Sequence, residues 1–302
     1  MRSLPSALKK TLPLIIVLLL AVSSAGVFFL RSPVLIVTDA SFNHIYGAQR
    51  LTLALVRNSL ELFRRLVFVP VYEQAGPDII ALVVERAARS PYAVLFPQRY
   101  VDGARIFRDR HPHVPVLVMW GRNPLPQAYV QTGLVFVRTD SATDLYRAGL
   151  TAAALVPEAK KVLFFVDGTL EDQYREAFRE GLRNQGFSED PVYVDPAYME
   201  YLPDGDIGCV VLLGLALEFL EQNPEIPVIL FSWIDPALTP RSVRIVFDDS
   251  PPAVAVKALR AFSPGAREIF VPSRPTVLSD RIEERSDFAM LRGLIQEIIP
   301  KN

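Results

Sequence analysis

Two α/β lobes, each built on a parallel sheet, are the architecture this chain predicts, on three observations. Short, nearly continuous apolar runs recur from Pro33 onward. Segments with apolar residues spaced by three and four lie between them, as on one face of a helix. The rhythm runs once as far as Val137 and restarts at Lys161. Strands that are apolar on both sides belong to parallel sheets covered by helices. Two series of about four or five strands each make two lobes rather than one very wide sheet.

Val34-Leu35-Ile36-Val37 is the first predicted strand, and it ends in Thr38-Asp39. Leu53, Val56, Leu60 and Phe63 mark one face of the helix that follows. Val67-Phe68-Val69-Pro70-Val71 is the second strand, and Ile80, Val83, Val84 and Ala87 mark the second helix. Ala93-Val94-Leu95-Phe96 makes the third strand, with a helical stretch over 101–110 after it. Pro115-Val116-Leu117-Val118-Met119-Trp120 is the fourth strand and Val135-Phe136-Val137 a short fifth.

The second series opens on Lys161-Val162-Leu163-Phe164-Phe165-Val166, followed by a helix carrying Tyr174, Phe178 and Leu182. Val192-Tyr193-Val194, the run 209–213, a helix over 215–221 and Pro227-Val228-Ile229-Leu230-Phe231 continue it. Val243-Arg244-Ile245-Val246-Phe247 and a helix over 251–262 close it. The lobes join at Arg138-Thr139-Asp140-Ser141, where a helix through Leu145, Gly149 and Ala152 begins. Further crossings are expected near 247–250 and 272–275, so two Rossmann-like lobes share a hinge of several strands. The expected division is 32–139 for the first lobe and 140–249 for the second. Residues 250–302 supply the return crossovers and a tail helix with Leu291, Ile295 and Ile298 on one face.

Residues 12–30 carry no charge and follow Arg2, Lys9 and Lys10. A basic flank before an apolar stretch just long enough to span a bilayer reads as a signal peptide or an N-terminal membrane anchor. The positive flank stays on the cytoplasmic side, which places the folded body outside the cytoplasm. Small residues at Ala21-Val22-Ser23 and Ser23-Ser24-Ala25 suit cleavage, whereas Val27-Phe28-Phe29-Leu30 would then leave an apolar stub. Both readings stand at this level.

A formal net charge of −1 with scattered basic residues gives no face for nucleic acid. The single cysteine, Cys209, sits in an apolar run, so no disulfide can form within the chain and stability must come from an ordinary core. His111-Pro112-His113 lies in a proline-broken turn and has no ligand spacing, so no metal is expected. No phosphate-binding glycine loop, nucleophile elbow or zinc-protease string occurs, so neither an enzyme nor a cofactor is called for.

In open α/β sheets ligands bind beyond the carboxyl ends of the strands. Those ends carry Asp39, Ser41, Phe42 and Asn43, then Phe96 and Gln98, then Trp120 and Arg122. The second lobe adds Asp167, Trp233, Asp235 and Asp249. Rings interleaved with carboxylates and amides suit a planar or ring-shaped small molecule. Asp39, Ser41 and Asp167 equally suit capping of the helices that follow. Trp120 and Trp233 could clamp a ligand from both lobes or fill the contact between them.

Three stretches carry a resemblance: residues 34–43, residues 137–149 and residues 161–168. The first looks like the opening strand and loop of the nucleoside-binding, basic-membrane-lipoprotein branch of the type I periplasmic-binding-protein superfamily. The second is similar to the interlobe crossover of its sugar-binding and repressor members, and the third to the strand that opens their second lobe. The order of elements over 33–275 resembles the same superfamily, the solute-binding proteins of ABC transporters. The resemblance implies a cleft that closes on a nucleoside- or sugar-like ligand by hinge bending, and a membrane permease as partner. Leu213-Gly214-Leu215 departs from it, standing where relatives often place polar residues. A membrane-anchored ligand sensor and a structural envelope protein without a small-molecule ligand are the alternatives.

Overall fold

The computed structural model describes residues 23, 26–121, 125–129, 132–156, 160–166, 170–197, 206–214, 216–231, 234 and 244–278. The first sheet takes β1 (Val34–Thr38), β2 (Leu66–Pro70), β3 (Ala93–Pro97), β4 (Val116–Met119) and β5 (Val135–Thr139). The second takes β6 (Lys161–Phe165), β7 (Val192–Val194), β8 (Ile207–Leu212), β9 (Val228–Phe231) and β10 (Arg244–Asp248). β11 (Glu268–Val271) then returns to the first sheet and β12 (Arg274–Leu278) to the second. The strand orders are β11-β5-β4-β3-β1-β2 and β12-β10-β9-β8-β6-β7.

Every pairing is parallel except that of β12 with β10. That edge departs from the all-parallel expectation for a topological reason. A parallel return within one sheet needs a long crossover, usually a helix. Here only Pro272 and Ser273 separate β11 from β12, so the chain enters the second sheet at the carboxyl ends of its strands and must run backwards.

Helices cover both faces of both sheets. They are α1 (Ala40–Tyr46), α2 (Ala48–Leu62), α3 (Pro77–Ala87), α4 (Val101–Arg110), α5 (Ser141–Leu155), α6 (Asp172–Asn184), α7 (Leu217–Gln222) and α8 (Pro251–Ala261). Alternate residues of β1 explain why its sequence is apolar throughout. Leu35 and Val37 pack with Ile80, Ala104 and Phe107 of α3 and α4. Val34 and Ile36 pack on the other face with Val254, Ala255 and Ala258 of α8. In the second lobe Val162 and Phe164 meet Leu145, Phe178 and Leu182 of α5 and α6. Leu163 and Phe165 meet Phe219 and Leu220 near α7. Cys209 is fully buried in the first of these layers, and burial pushes its thiol pKa up, which makes it inert.

Helix α2 is oriented differently from what its apolar periodicity suggests. Leu51, Asn58 and Ser59 are buried, while Leu53, Val56 and Leu60 are 64%, 54% and 65% exposed. The buried polar groups are satisfied: Asn58 Nδ2 donates to Ala54 O at 2.7 Å, and Ser59 Oγ accepts from Leu66 N at 2.9 Å. No helix among the described residues is long and apolar enough to cross a membrane. Residues 12–22 of the apolar leader and the expected tail helix lie outside the described residues.

Helices α5 and α6 pack closely because Gly149 and Gly181 face each other's backbones. A Cβ on Gly149 would collide with the Phe178 carbonyl oxygen, and one on Gly181 with that of Tyr146. Overpacking of this kind costs roughly 1–3 kcal/mol. Gly149→Ala is expected to lower the denaturant midpoint of the protein by a corresponding amount. An unchanged midpoint would show that the helix pair yields without strain.

Candidate functional site

The carboxyl ends of the two sheets face each other across the places where the chain changes lobe. At the first crossing Asp140 caps α5, its carboxylate accepting from Thr143 N at 3.1 Å and from Thr143 Oγ1 at 2.7 Å. One turn on, the fully buried Asp144 reaches the third crossing, accepting from Ser273 N at 2.7 Å and from Ser273 Oγ at 2.5 Å. Lys257 of α8 donates to the Pro272 carbonyl beside it. Burial pushes the Asp144 carboxyl up to about 7, with Asp249 adding to the shift and Ser273 and Lys257 opposing it. Burial brings Lys257 down to about 8, with the charges of Arg147 and Arg274 helping and those of Asp144 and Asp248 opposing.

A cavity of about 270 Å³ opens at this junction. The first lobe contributes Trp120 and Gly121 beyond β4, Arg138 and Thr139 of β5, and Phe270 of β11. The start of α5 contributes Ser141, Asp144 and Leu145. The second lobe contributes Tyr174 of α6, Leu213 beyond β8, Phe231 at the end of β9 and Asp249 beyond β10. Trp120 is held edge-on against Phe136, with centroids 5.4 Å apart, and against Tyr129 at 5.8 Å. Arg138 pairs with Glu268 at 3.3 Å and lies over the Phe270 ring at 5.6 Å. The lining is thus aromatic, with hydroxyls, carboxylates and one guanidinium set among the rings.

Of the residues singled out from sequence, Trp120 and Asp249 line this cavity. Asp39 is buried beside the same strand ends. It accepts from Ser41 N at 2.9 Å, from Ser41 Oγ at 2.5 Å and from Tyr100 OH at 2.7 Å, and pairs with Arg99 at 3.1 Å. Burial works against the Asp39 charge, but Ser41, Tyr100 and Arg99 outweigh it and hold the pKa below the ordinary value. The Tyr100 hydroxyl is pushed up to about 12 by burial and by Asp39. Asp39 and Ser41 therefore join the start of α1 to the turn after β3.

Phe42 is buried and stacks on Tyr46 with centroids 5.9 Å apart. Tyr46 sits near Asp248 and Asp249, and burial together with these two charges raises its pKa. Phe96 is fully buried in the core of the first lobe, and Gln98 Oε1 accepts from Gly121 N at 2.9 Å, fixing the turn that carries Trp120. The backbone of Asn43 belongs to α1, while its side chain lies outside the described residues, as do Arg122, Asp167, Trp233 and Asp235. Sequence reasoning missed Ser141, Asp144, Tyr174 and Phe270 as lining residues. Among the described residues no group of His, Cys, Asp and Glu side chains is placed to hold a metal.

The lobes also meet along α2. Arg57 pairs with Asp248, Arg50 Nη1 donates to Ile234 O at 3.3 Å, and Glu61 binds Arg260 at 2.7 Å and Arg274 at 2.6 Å.

No protein-family model and no curated protein matches this sequence. Solved structures do match over nearly its whole length. An ABC transporter system solute-binding protein from Conexibacter woesei is similar at TM-score 0.52 and 14% identity, covering 90% of this chain and 98% of its own. A transcriptional activator of the comK gene from Bacillus halodurans is similar at TM-score 0.54 and 11% identity, covering 88% of this chain and 98% of its own. The chain shares the two-lobed α/β fold of these structures.

The crossing carboxylate generates a pH dependence with a defined sign. Unfolded, Asp144 releases its proton near 3.8; folded, it keeps it up to about 7. Between these values the folded state holds more protons, so stability falls as pH rises from about 4 to about 7. Lys257 acts in the opposite direction between about 8 and 10.5, where the unfolded chain binds the extra proton. Asp144→Asn, which keeps the bond from Ser273 N and reverses the one with the Ser273 hydroxyl, is expected to flatten the fall in melting temperature between pH 4 and 7. Equal slopes in the two proteins would remove Asp144 as its source.

Proposed function

We propose that this chain is an extracytoplasmic solute-binding protein that captures a small molecule between its lobes, without turnover, for an ABC-type importer. The observation that carries the reading is the cavity at the facing strand ends, walled by both lobes and of a size suited to a small ring-shaped solute. Trp120, Tyr174, Phe231 and Phe270 offer ring faces and edges, while Thr139, Ser141 and Asp249 offer hydrogen bonds that orient a polyol. A nucleoside- or sugar-like ligand suits that mixture. The likeness to a solute-binding protein supports the reading, although the same fold also serves a transcriptional activator and function lives in the site. Arg122, Asp167, Trp233 and Asp235 follow strands that end at this junction and are proposed as further contacts.

One observation favours a tethered form. The Phe28 ring lies 5.8 Å from that of Phe63, Arg31 sits over Phe63 at 5.1 Å, and Arg31 Nη1 donates to Phe63 O at 3.4 Å. The end of the apolar leader is thus fastened to the first lobe, which suits a retained segment. In that form the protein serves an adjacent permease or signals occupancy to a membrane partner.

The test is a thermal-shift panel of sugars, nucleosides and amino acids on the purified protein, with native mass spectrometry for co-purified ligand. A ligand of the native state raises the melting temperature by mass action. Phe231→Ala and Asp249→Asn are each expected to weaken that ligand about tenfold, the equivalent of about 1.4 kcal/mol. No shift across the panel and no retained mass would favour a structural role instead. Unaltered affinity in both variants would move the site elsewhere.

A further inference from the structure

Helix α2 has three faces, and only two have partners among the described residues. Leu51, Asn58 and Ser59 face the core, and Arg50, Arg57 and Glu61 face the second lobe and α8. Leu53, Val56, Leu60 and Phe63, one helical stripe, are exposed. At its Phe63 end the stripe meets Phe28, and there Phe29 and Leu30 are themselves 63% and 88% exposed. Exposed apolar side chains gathered on one helical stripe mark an interaction site.

Charge selects the partner. Between residues 26 and 65 the only acids are Asp39 and Glu61, against arginines 31, 50, 57, 64 and 65. Asp39 is buried, Glu61 is held by Arg260 and Arg274, and Arg50 and Arg57 turn to the second lobe, so Arg31 and Arg64 give the Phe63 end of the stripe its cationic rim. Arg31 and Arg64 lie over the rings of Phe63 and Tyr92 at this edge. Two copies joined through such a face would bring like charges together. An anionic bilayer surface accepts both the apolar stripe and the arginines. We infer that the exposed face of α2 rests on the bilayer that holds residues 12–30, with the arginine rim on anionic headgroups. The inference rests on the tethered reading above.

The test places a nitrobenzoxadiazole label at Leu60→Cys in the full chain; the native thiol at Cys209 is fully buried and does not react. Glu218→Cys, exposed in the second lobe, is the control. The labelled chain is reconstituted into phosphatidylcholine–phosphatidylglycerol vesicles, floated on a density gradient, and quenched with spin-labelled phosphatidylcholine. The expected result is co-flotation, loss of most of the Leu60 signal with little loss at Glu218, and weaker quenching without phosphatidylglycerol. Co-flotation with equal quenching at the two sites would overturn the bilayer contact and leave the tether standing. Failure to float would overturn both. Self-quenching that grows with protein density, without lipid quenching, would replace the bilayer by a second copy.

Discussion

A buried carboxylate one turn into α5 takes both hydrogen bonds that Ser273 can donate, and on that contact the relation between the lobes depends. Asp144 belongs to the first crossing of the chain and Ser273 to the third, so the contact locks two of the connecting strands to each other. Burying a carboxylate is costly unless its oxygens are satisfied. Here Ser273 provides that satisfaction through its backbone as well as its hydroxyl. The raised carboxyl and lowered amine at this point are consequences of packing two ionisable groups where the lobes join. They lie beside the cavity, so charge at the hinge and charge in the cleft belong to one electrostatic system.

The other ties between the lobes are of a weaker kind. Arg57 with Asp248, and Glu61 with its two arginines, lie at least partly in solvent, where ion pairs contribute little net stability. An arrangement with a firm, dry pivot and weak, wet contacts away from it suits rotation of one lobe against the other. The aromatic lining follows from the same geometry. Trp120 and Phe231 stand at the ends of core strands, where a ring can pack on its own lobe while presenting an edge to the space between.

The fold was legible because its main signal is local. Apolar runs, helical spacing and proline at the starts of α3 and α8 all act within a few residues. β11 and β12 were not named, because Glu268–Val271 and Arg274–Leu278 are short and gain meaning only from the sheets they join. The periodicity of α2 was plain, yet it could not say which face turned inward. Asn58 and Ser59 occupy the core side because local hydrogen bonds satisfy them. In the site, Trp120 and Asp249 were visible as residues following strands. Asp144 reads in sequence as an ordinary acid in the first turn of a helix, and Tyr174 as part of a helical core face. Their place depends on a lobe opposite, which no nearby residue encodes. Phe96 and Gln98 illustrate the same limit, since strand alternation sends the first into the core and the turn sends the second to the backbone of Gly121.

The threading of the chain also governs when it can fold. One face of the first sheet, formed by Val34, Ile36, Leu95, Val135 and Val137, is covered by α8, and its edge is closed by β11. Both elements are synthesised after almost the whole second lobe. A nascent chain that has emerged only as far as residue 139 therefore has a sheet with one apolar side covered only by Leu55 and Leu62 of α2, and lacks α8 and β11, which complete that layer. The second sheet likewise waits for β12. Folding is deferred until the ribosome has made nearly all of both lobes, so the two lobes reach their native state together rather than one after the other.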